Sequence, residues 1–370
     1  MKRQVKKKTE RSQLTKFKRI LRNTEYHGSH ESIKKNELQV KKKRYFKLVN
    51  KLFIKYTTNK KIVVHAPVYI DYYNNFNFNK TNHFLNKIKK IVTKENGRVS
   101  IDFSQTKLIT ASAMISFLAE TDNLINASKL GRNAISFTHP KVEKVESVLK
   151  QIGFYELLKK PTRDTKTFKD VSYWNYASGV SSEPQKASDS MAEIEKKISI
   201  KARRKLYKGF SEAMANCVEH AYQNPAQVDD VQTKWWAFAG VNDDTLIVVI
   251  CDKGIGISKS LPLTRGSELI EKFKNALSLR KLNDSAMIKI ASRMGRTSTG
   301  KSNRGKGLKD IKSIIDTFNS GHLSIYSNKG CYKYFRREGN LDDIMKEHKT
   351  SVCGTITEWS FPLNIGEEED

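Results

Sequence analysis

The chain lacks the cysteine spacing of a metal-binding or disulfide-linked protein. Its 370 residues include four cysteines, which are Cys217, Cys251, Cys331 and Cys353. No two of them form a Cys-x-x-Cys pair, so neither a tetrahedral zinc site nor a disulfide framework is expected. Most of them lie in segments with the apolar pattern of a strand or of a buried helix face. This predicts reduced thiols in the core of a cytosolic protein.

Long apolar runs are also missing. No stretch approaches the length of about 18 apolar residues that a transmembrane helix needs, and the N-terminus has no apolar run of the kind found in signal peptides. We therefore expect a cytoplasmic protein without a transmembrane segment.

Acidic residues are scarce relative to basic ones. Lys and Arg number 68 and Asp and Glu 39, which gives a formal net charge of +29. The excess is concentrated in residues 1–60, which begin MKRQVKKKTER and show little apolar periodicity. We predict a basic, partly disordered extension. Nucleic acid and an anionic membrane surface both fit this charge as partners, and a solvated tail without a partner is the third alternative.

The pattern of a folded protein begins at Lys61. Strand-like segments such as RVSIDFS alternate with helical segments such as ASAMISFLAETDNLINASKL up to Leu158. This alternation predicts a small α/β domain at 61–158. Residues 159–188 have the Pro, Ser and Gly content of a connector, although VSYWNY within them is aromatic enough to add a strand to a neighbouring sheet.

A second domain is predicted at 189–363, followed by an acidic tail at 364–370. It begins with one long helix that Asp189 would cap and that extends to about Asn224. The strands TKWWAFAGV and TLIVVICD follow, and then a long region punctuated by glycines. The chain closes with HLSIYS, CYKYFRR and GTITEWSF, which also have the composition of strands.

Three polar residues interrupt the apolar pattern of the long helix. Glu212, Asn216 and His220 in SEAMANCVEH are four residues apart, so they project from one side of a helix, one turn above another. They could therefore meet one ligand. The alternative is a solvated stripe on a surface helix, because charged pairs at this spacing are common.

A first glycine motif follows the strand TLIVVI. In CDKGIGI, Asp252 ends the strand and Gly254 and Gly256 follow it. A carboxylate held there, beside glycines that let the backbone approach closely, can accept a hydrogen bond from the exocyclic amine of a flat ring such as adenine. A plain turn is the alternative for this motif taken alone.

A second glycine motif, NRGKGL, stands at the start of an amphipathic helix. Gly305 and Gly307 open the helix, with Arg304 and Lys306 beside them. Free amides at a helix N-terminus, helped by two cations, suit a phosphate group. Here too a plain turn is the alternative for the motif alone.

Taken in order, these motifs resemble those of the GHKL family of ATP-binding domains, which includes gyrase, heat-shock chaperone, sensor kinase and mismatch-repair ATPases. Glu-x-x-x-Asn-x-x-x-His on a helix, Asp-x-Gly-x-Gly after a strand, Gly-x-Gly-Leu opening a helix and Gly-Thr in a late strand are similar to its N, G1, G2 and G3 boxes. The resemblance covers 189–363. It implies an α/β fold of the α+β sandwich type, with helices packed on one face of a mixed sheet. It also implies that ATP and Mg²⁺ bind between the helices and a mobile lid.

The resemblance also implies roles for single residues. Glu212 corresponds to the general base for the attacking water, Asn216 to the Mg²⁺ ligand, and His220 to a basic residue on the phosphate side. The remaining nucleotide contacts would be Asp252 at the adenine amine, Gly254 and Gly256 in the base pocket, Gly305, Gly307 and Leu308 at the phosphate-binding helix start, and Thr355 near the adenine end.

The segment 258–304 would be the lid. It is far longer than in the small anti-sigma serine kinases of the family, and it contains the basic stretch SRMGRTSTGKSNR. Its Lys, Arg, Ser and Thr side chains could wrap the γ-phosphate. A disordered basic loop is the alternative.

The first domain, 61–158, resembles the STAS domain of anti-sigma-factor antagonists, which pair with GHKL kinases in regulatory switches. VSIDFSQTKLITASAMISFLAE and SFTHPKVEKVESVLKQIGFYELL carry this resemblance. Regulated members carry Asp-Ser-Ser-Gly where this chain has Thr110, Ala111, Ser112 and Ala113. Because Ala111 replaces the phosphoacceptor serine, the sequence favours a structural or partner-docking domain.

The sequence therefore predicts a GHKL-type ATP-binding protein with Mg²⁺-dependent ATPase activity and ATP-driven lid closure. Two alternatives stay open, a protein serine/threonine kinase of a partner-switching circuit and a nucleic-acid-binding module that ATP gates. The basic extension would then contact nucleic acid, the STAS-like domain a protein partner, and ATP could drive formation of a homodimer.

Overall fold

The computed structural model describes most of the chain between residues 61 and 363. The described residues are 61–166, 168, 172–182, 198–223, 234–294, 307–318, 320–337 and 340–363. They form a mixed α/β structure. None of the helices within these ranges is both long and apolar enough to cross a membrane. The predicted basic extension at 1–60 and acidic tail at 364–370 lie outside the described residues.

Short parallel strands alternate with helices in the first part of the structure. The elements are β1 (Lys61–His65), β2 (Tyr69–Ile70), α1 (Asn75–Lys89), β3 (Arg98–Asp102), β4 (Leu108–Ile109), α2 (Ala111–Ala127), β5 (Ile135–Thr138), α3 (Glu143–Gln151) and α4 (Phe154–Leu157). β1, β3 and β5 form a parallel sheet in that order, and β2 pairs with β4. The alternation of strands and helices predicted here is confirmed.

Seven strands and five helices follow in the described part of the chain. They are β6 (Ser172–Gly179), α5 (Ile200–Glu219), β7 (Trp235–Asn242), β8 (Thr245–Asp252), α6 (Ile257–Arg265), α7 (Ser267–Ala276), α8 (Asp284–Arg293), α9 (Gly307–Phe318), β9 (His322–Ser327), β10 (Gly330–Arg337), β11 (Asn340–Glu347) and β12 (Thr355–Pro362). The strands form one sheet in the order β11-β10-β9-β12-β8-β7-β6. The strand expected within the connector is confirmed, because β6 pairs with β7 at one edge.

This sheet is antiparallel at every pairing of the described strands, so the prediction of a mixed sheet is wrong. Tight turns account for the antiparallel pairs β7–β8 and β9–β10. Asp243 and Asn328, both with φ near +50°, stand in the tight turns that join β7 to β8 and β9 to β10. A tight hairpin turn returns the chain beside the strand it has just left, which makes the pair antiparallel.

Both faces of the seven-stranded sheet are buried along its central strands β7, β8, β9 and β12. We call the side that packs against α5 and α9 the front face, and the opposite side the rear face. On β7, Trp235 and Ala237 belong to the front core, whereas the alternate residues Trp236 and Phe238 belong to the rear core. Side chains along a strand alternate between faces, so an uninterrupted apolar strand such as this one has to be covered on both sides.

Residues of the first unit, 61–158, provide the cover of the rear face. α2 packs across β7, β8 and β12, and one apolar cluster joins residues of α1 and α2 with Trp236, Phe238 and Val249 of the sheet. Phe78 of α1 reaches β9, where its ring centroid lies 6.1 Å from that of Tyr326. Helices therefore cover both faces of the sheet, whereas the sequence predicted helices on one.

Asp122 of α2 fixes this interface with hydrogen bonds. Its Oδ2 accepts from Trp236 Nε1 at 2.9 Å, and the ammonium of Lys234 pairs with the same oxygen. We expect Asp122→Ala to lower the free energy of unfolding by about 3 kcal/mol, because it leaves a buried indole N–H and a largely buried ammonium without their acceptor. Urea denaturation followed by tryptophan fluorescence measures the change.

The matched control for this prediction is Asp244→Ala, since Asp244 is an exposed turn residue. It should leave the midpoint of the urea transition nearly unchanged. A loss below about 1 kcal/mol for Asp122→Ala would show that water replaces the missing carboxylate and that this contact does not hold the interface.

One prediction about the second part is wrong, and the structure adds detail to another. A single helix from Asp189 is wrong, because the described helix begins at Ile200, with Ser199 Oγ accepting from Ala202 N at 3.2 Å, and Ile198 and Ser199 are not helical. Asp189 itself lies outside the described residues. The segment predicted as a lid contains three helices, α6 to α8, with their own apolar cluster around Ile290, and only its last part, 295–304, is not described.

Candidate functional site

The helix α5 carries the three polar residues on the side that faces a cavity. Its opposite side buries Leu206, Phe210 and Met214 in the front core. That anchoring leaves Glu212, Asn216 and His220 on successive turns along the cavity wall. The structure places all three residues of the predicted stripe along this cavity.

The cavity has a volume of about 430 Å³ and lies between α5, the sheet and the helices α6, α8 and α9. It brings together most of the candidate residues. Those that line it are Glu212, Asn216, His220, Asp252, Gly256, Leu308 and Thr355. They come from distant parts of the chain, so the fold, and not local sequence, assembles the site.

Asp252 ends β8 on the front face, at the floor of the cavity. Its Oδ1 accepts hydrogen bonds from Gly254 N at 2.8 Å and from Thr355 N at 3.2 Å. The other oxygen, Oδ2, lies 3.8 Å from the thiol of Cys217. Burial raises the pKa of Asp252 to about 6, although the two backbone N–H groups act in the opposite direction.

The two glycines after Asp252 have different roles. Gly256 lines the cavity with φ +80°, and a Cβ there would come within 2.4 Å of the side-chain amide of Asn328. Gly254 stands behind the cavity wall, where a Cβ would lie 2.0 Å from the carbonyl oxygen of Ala221. Glycine is therefore required at both positions, because a side chain would force the turn away from α5 or from β9.

A hydroxyl pair joins the late strand β12 to this turn. Thr355 Oγ1 lies 3.2 Å from Ser327 Oγ, which in turn accepts from Ile257 N at 2.8 Å. Thr355 thus holds both Asp252, through its backbone N–H, and the start of α6, through Ser327. The resemblance implies a position for Thr355 near the adenine end, and the structure places its backbone N–H on Asp252, the residue proposed from the sequence to bind the adenine amine.

The end of the cavity beside His220 carries basic side chains. Burial lowers the pKa of His220, the nearby carboxylate of Glu219 raises it, and the positive charge of Arg265 lowers it further. Arg265 is the last residue of α6 and lines the cavity. Sequence reasoning missed it, because the position of Arg265 beside His220 depends on how α6 packs over the cavity.

The start of α9 also reaches the cavity wall. Gly307 is its first helical residue, and Leu308 contacts the cavity. The first amides of a helix have no partner within the helix, so they favour an anion. Arg304, Gly305 and Lys306 lie outside the described residues, and their predicted contribution remains a prediction.

The residues of the cavity fit an adenine nucleotide. An apolar wall that includes Cys217, Ile250 and Leu261 surrounds the buried carboxylate of Asp252, which suits a flat ring that carries an amine. For a metal ion, the described residues hold no group of three or more His, Cys, Asp or Glu side chains. The amide oxygen of Asn216 fits Mg²⁺, an ion commonly held by few protein ligands together with phosphate oxygens and water.

Lys253 connects the floor of the cavity with the first unit. It follows Asp252, and its Nζ donates to Ser116 Oγ of α2 at 2.7 Å and to Val352 O at 3.0 Å. The turn that carries Asp252 is thus held from the rear.

No family model matches this chain, and none of the curated proteins matches its sequence. The geometry of the site is therefore the basis for assigning a function.

Proposed function

We propose that this chain is an ATP-binding protein of the GHKL type that hydrolyses ATP with Mg²⁺. One observation carries the proposal. A buried carboxylate, Asp252, and a helical stripe of Glu212, Asn216 and His220 line the same cavity, whose volume of about 430 Å³ suits a nucleotide. The order of the sequence motifs supports the same function.

At the floor of the cavity, Asp252 accepts a hydrogen bond from the amine of adenine. Its Oδ1 is already bonded to two backbone N–H groups, so the carboxylate is fixed in orientation before the base arrives. Oδ2 has only the weak thiol donor of Cys217 among the hydrogen bonds of the described residues, and it is the oxygen with capacity for the amine.

On the phosphate side of this proposed site we place His220, Arg265 and the first residues of α9, all on the cavity wall. Asn216 holds Mg²⁺, which when bound neutralises phosphate charge and orients the phosphate chain. Because burial keeps the pKa of His220 below its ordinary value, this imidazole is neutral near pH 7 and binds by hydrogen bonding. The positive charge at this end then comes from Arg265.

Glu212 acts as the general base. It stands one turn before Asn216 on α5, so it faces the side of the cavity on which the terminal phosphate would lie. There the carboxylate orients a water molecule and takes its proton as the water attacks phosphorus. ADP and inorganic phosphate are the products.

The first unit serves this site as a structural support in our proposal. Ser112 of α2, beside the position at which related domains would carry a phosphoacceptor, is fully buried and donates to the buried carboxylate of Glu358 on β12. Ala111 has no hydroxyl. This segment is therefore unsuited to act as a phosphorylation switch, which argues against the partner-switching alternative.

The proposal is tested by titrating the purified protein with ATP, with and without Mg²⁺, and measuring phosphate release in the same samples. We expect saturable binding and slow turnover that requires Mg²⁺. Binding without turnover would remove the hydrolytic part of the proposal. Absence of binding would overturn it entirely.

A further inference from the structure

β11 forms one edge of the seven-stranded sheet and is regularly paired along its inner side. All eight of its residues, Asn340–Glu347, are in register with β10 without a shift. Among the described strands it has no neighbour on the other side. The opposite edge differs, because β6 has a register shift between Ser172 and Asn175. Irregularities of this kind protect sheet edges from pairing, and β11 has none.

The side chains of β11 differ between its two faces. On the front face, Asp343 Oδ1 accepts from Lys289 Nζ at 2.7 Å and its Oδ2 from Arg293 at 2.9 Å, so this acidic residue is neutralised by α8. On the rear face, Asp342, Ile344 and Lys346 are exposed, and Ile344 keeps 52% of its surface accessible. The rear face thus shows an aliphatic residue between one acidic and one basic residue.

This arrangement is complementary to itself. When two copies of β11 run antiparallel about a two-fold axis that passes through Ile344, Asp342 of one copy stands opposite Lys346 of the other, twice. Ile344 then meets Ile344 on the axis. Opposite charges and apolar pairs at directly opposed positions stabilise antiparallel strands.

The neighbouring registers are less favourable. Only registers centred on a residue keep the front faces of both copies on one side of a continuous sheet. An axis through Asp343 would place Asp342 opposite Ile344, and an axis through Met345 would place Ile344 opposite Lys346, so each of these registers loses both opposite-charge pairs. Of the three registers, the one centred on Ile344 keeps them.

We propose that β11 is a docking edge for a second copy of this chain, paired antiparallel about a two-fold axis through Ile344. The two sheets then join into one sheet of twice the width, with the front faces of both copies on the same side. An edge of eight residues buries less surface than a standard stable interface, so the dissociation constant is expected in the micromolar range. The pairing needs no nucleotide and is independent of the proposed ATPase activity.

Sedimentation velocity of the full chain without nucleotide, over a wide range of protein concentrations, tests the proposal. Wild-type protein should pass from monomer to dimer as concentration rises. Asp342→Lys places Lys opposite Lys twice, and Lys346→Asp places Asp opposite Asp twice. We expect each single variant to raise the dissociation constant about tenfold or more.

The double variant Asp342→Lys with Lys346→Asp is the matched control. It restores both opposite-charge pairs with their signs exchanged, so dimerisation should return toward the wild-type constant. Thermal melting checks that all three variants fold, as exposed positions should allow. A wild-type monomer at every concentration overturns the proposal. If the single substitutions leave the dissociation constant unchanged, or if the double variant does not restore dimerisation, the proposed edge and register are wrong.

Discussion

Glu212→Gln should retain nucleotide binding and lose phosphate release. The amide keeps the size of the side chain and its place on α5, but it cannot accept the proton of the attacking water. Removing a positioned general base lowers kcat by about a hundredfold or more. The dissociation constant for ATP and Mg²⁺ should change by less than about threefold, since the general base acts mainly in the transition state. Single-turnover phosphate release and equilibrium titration measure the two quantities separately.

Glu268→Gln is the control for this experiment, because Glu268 is an exposed acidic residue in the first turn of α7, outside the cavity. Its kcat should equal that of the wild type. Turnover that survives Glu212→Gln at near the wild-type rate would exclude Glu212 as the base. A simultaneous loss of binding would instead point to a role in holding the nucleotide.

Asp252→Asn should weaken nucleotide binding by about tenfold to a hundredfold, because a hydrogen bond to a charged acceptor is replaced by one to a neutral amide. The substitution keeps the shape of the side chain, and the amide oxygen can still accept from Gly254 N and Thr355 N. The fold should therefore survive, which thermal melting can show. Unchanged affinity in this variant would place the adenine ring elsewhere in the cavity.

The raised pKa of Asp252 gives binding a defined pH dependence. In the proposed site the carboxylate form of Asp252 accepts the amine, and this form is lost as pH falls through about 6. Affinity for adenosine should thus be flat above about pH 7 and fall by up to about tenfold per unit below the pKa. The Asn variant has no such group and should lack this slope. Calorimetric titration of both proteins across this pH range distinguishes protonation of Asp252 from other effects of low pH on binding.

The same pKa acts on stability with the opposite sign. Folding raises the pKa of Asp252 from an ordinary value of 3.8 to about 6, so the folded state binds more protons than the unfolded state between these values. The contribution of Asp252 to stability is therefore fully present below the unfolded pKa and is lost as pH rises through the folded pKa. Low pH should therefore stabilise the folded state through Asp252, whereas it should weaken ligand binding at the same residue.

Local signals were sufficient to predict the two halves of the candidate site. The spacing of Glu212, Asn216 and His220 depends only on helix geometry, and Asp252 lies where a strand runs into glycines. Arg265 could not be found in this way, because its place beside His220 depends on how α6 folds back over the cavity. That return is a tertiary property, held by the apolar cluster of α6, α7 and α8.

The cover of the rear face was missed although a signal for it was present. TLIVVICD and WWAFA lack the alternation of a sheet with one exposed face, and that lack indicates burial on both sides. The identity of the covering helices depends on contacts between residues more than a hundred positions apart, such as Asp122 with Trp236. β11 was missed for the opposite reason. Its edge position leaves NLDDIMKE largely polar, so no apolar period marks it as a strand.

The shared rear core determines how this chain can be divided. A fragment that begins at the connector would present Trp236, Phe238 and Val249 to water, and exposed apolar surface of that kind promotes aggregation. The first unit therefore covers apolar surface that the sheet would otherwise expose. During synthesis the first unit leaves the ribosome before β7 and β8, so these strands can pack against it as they emerge. We therefore expect the first unit and the seven-stranded sheet to be encoded together in one gene.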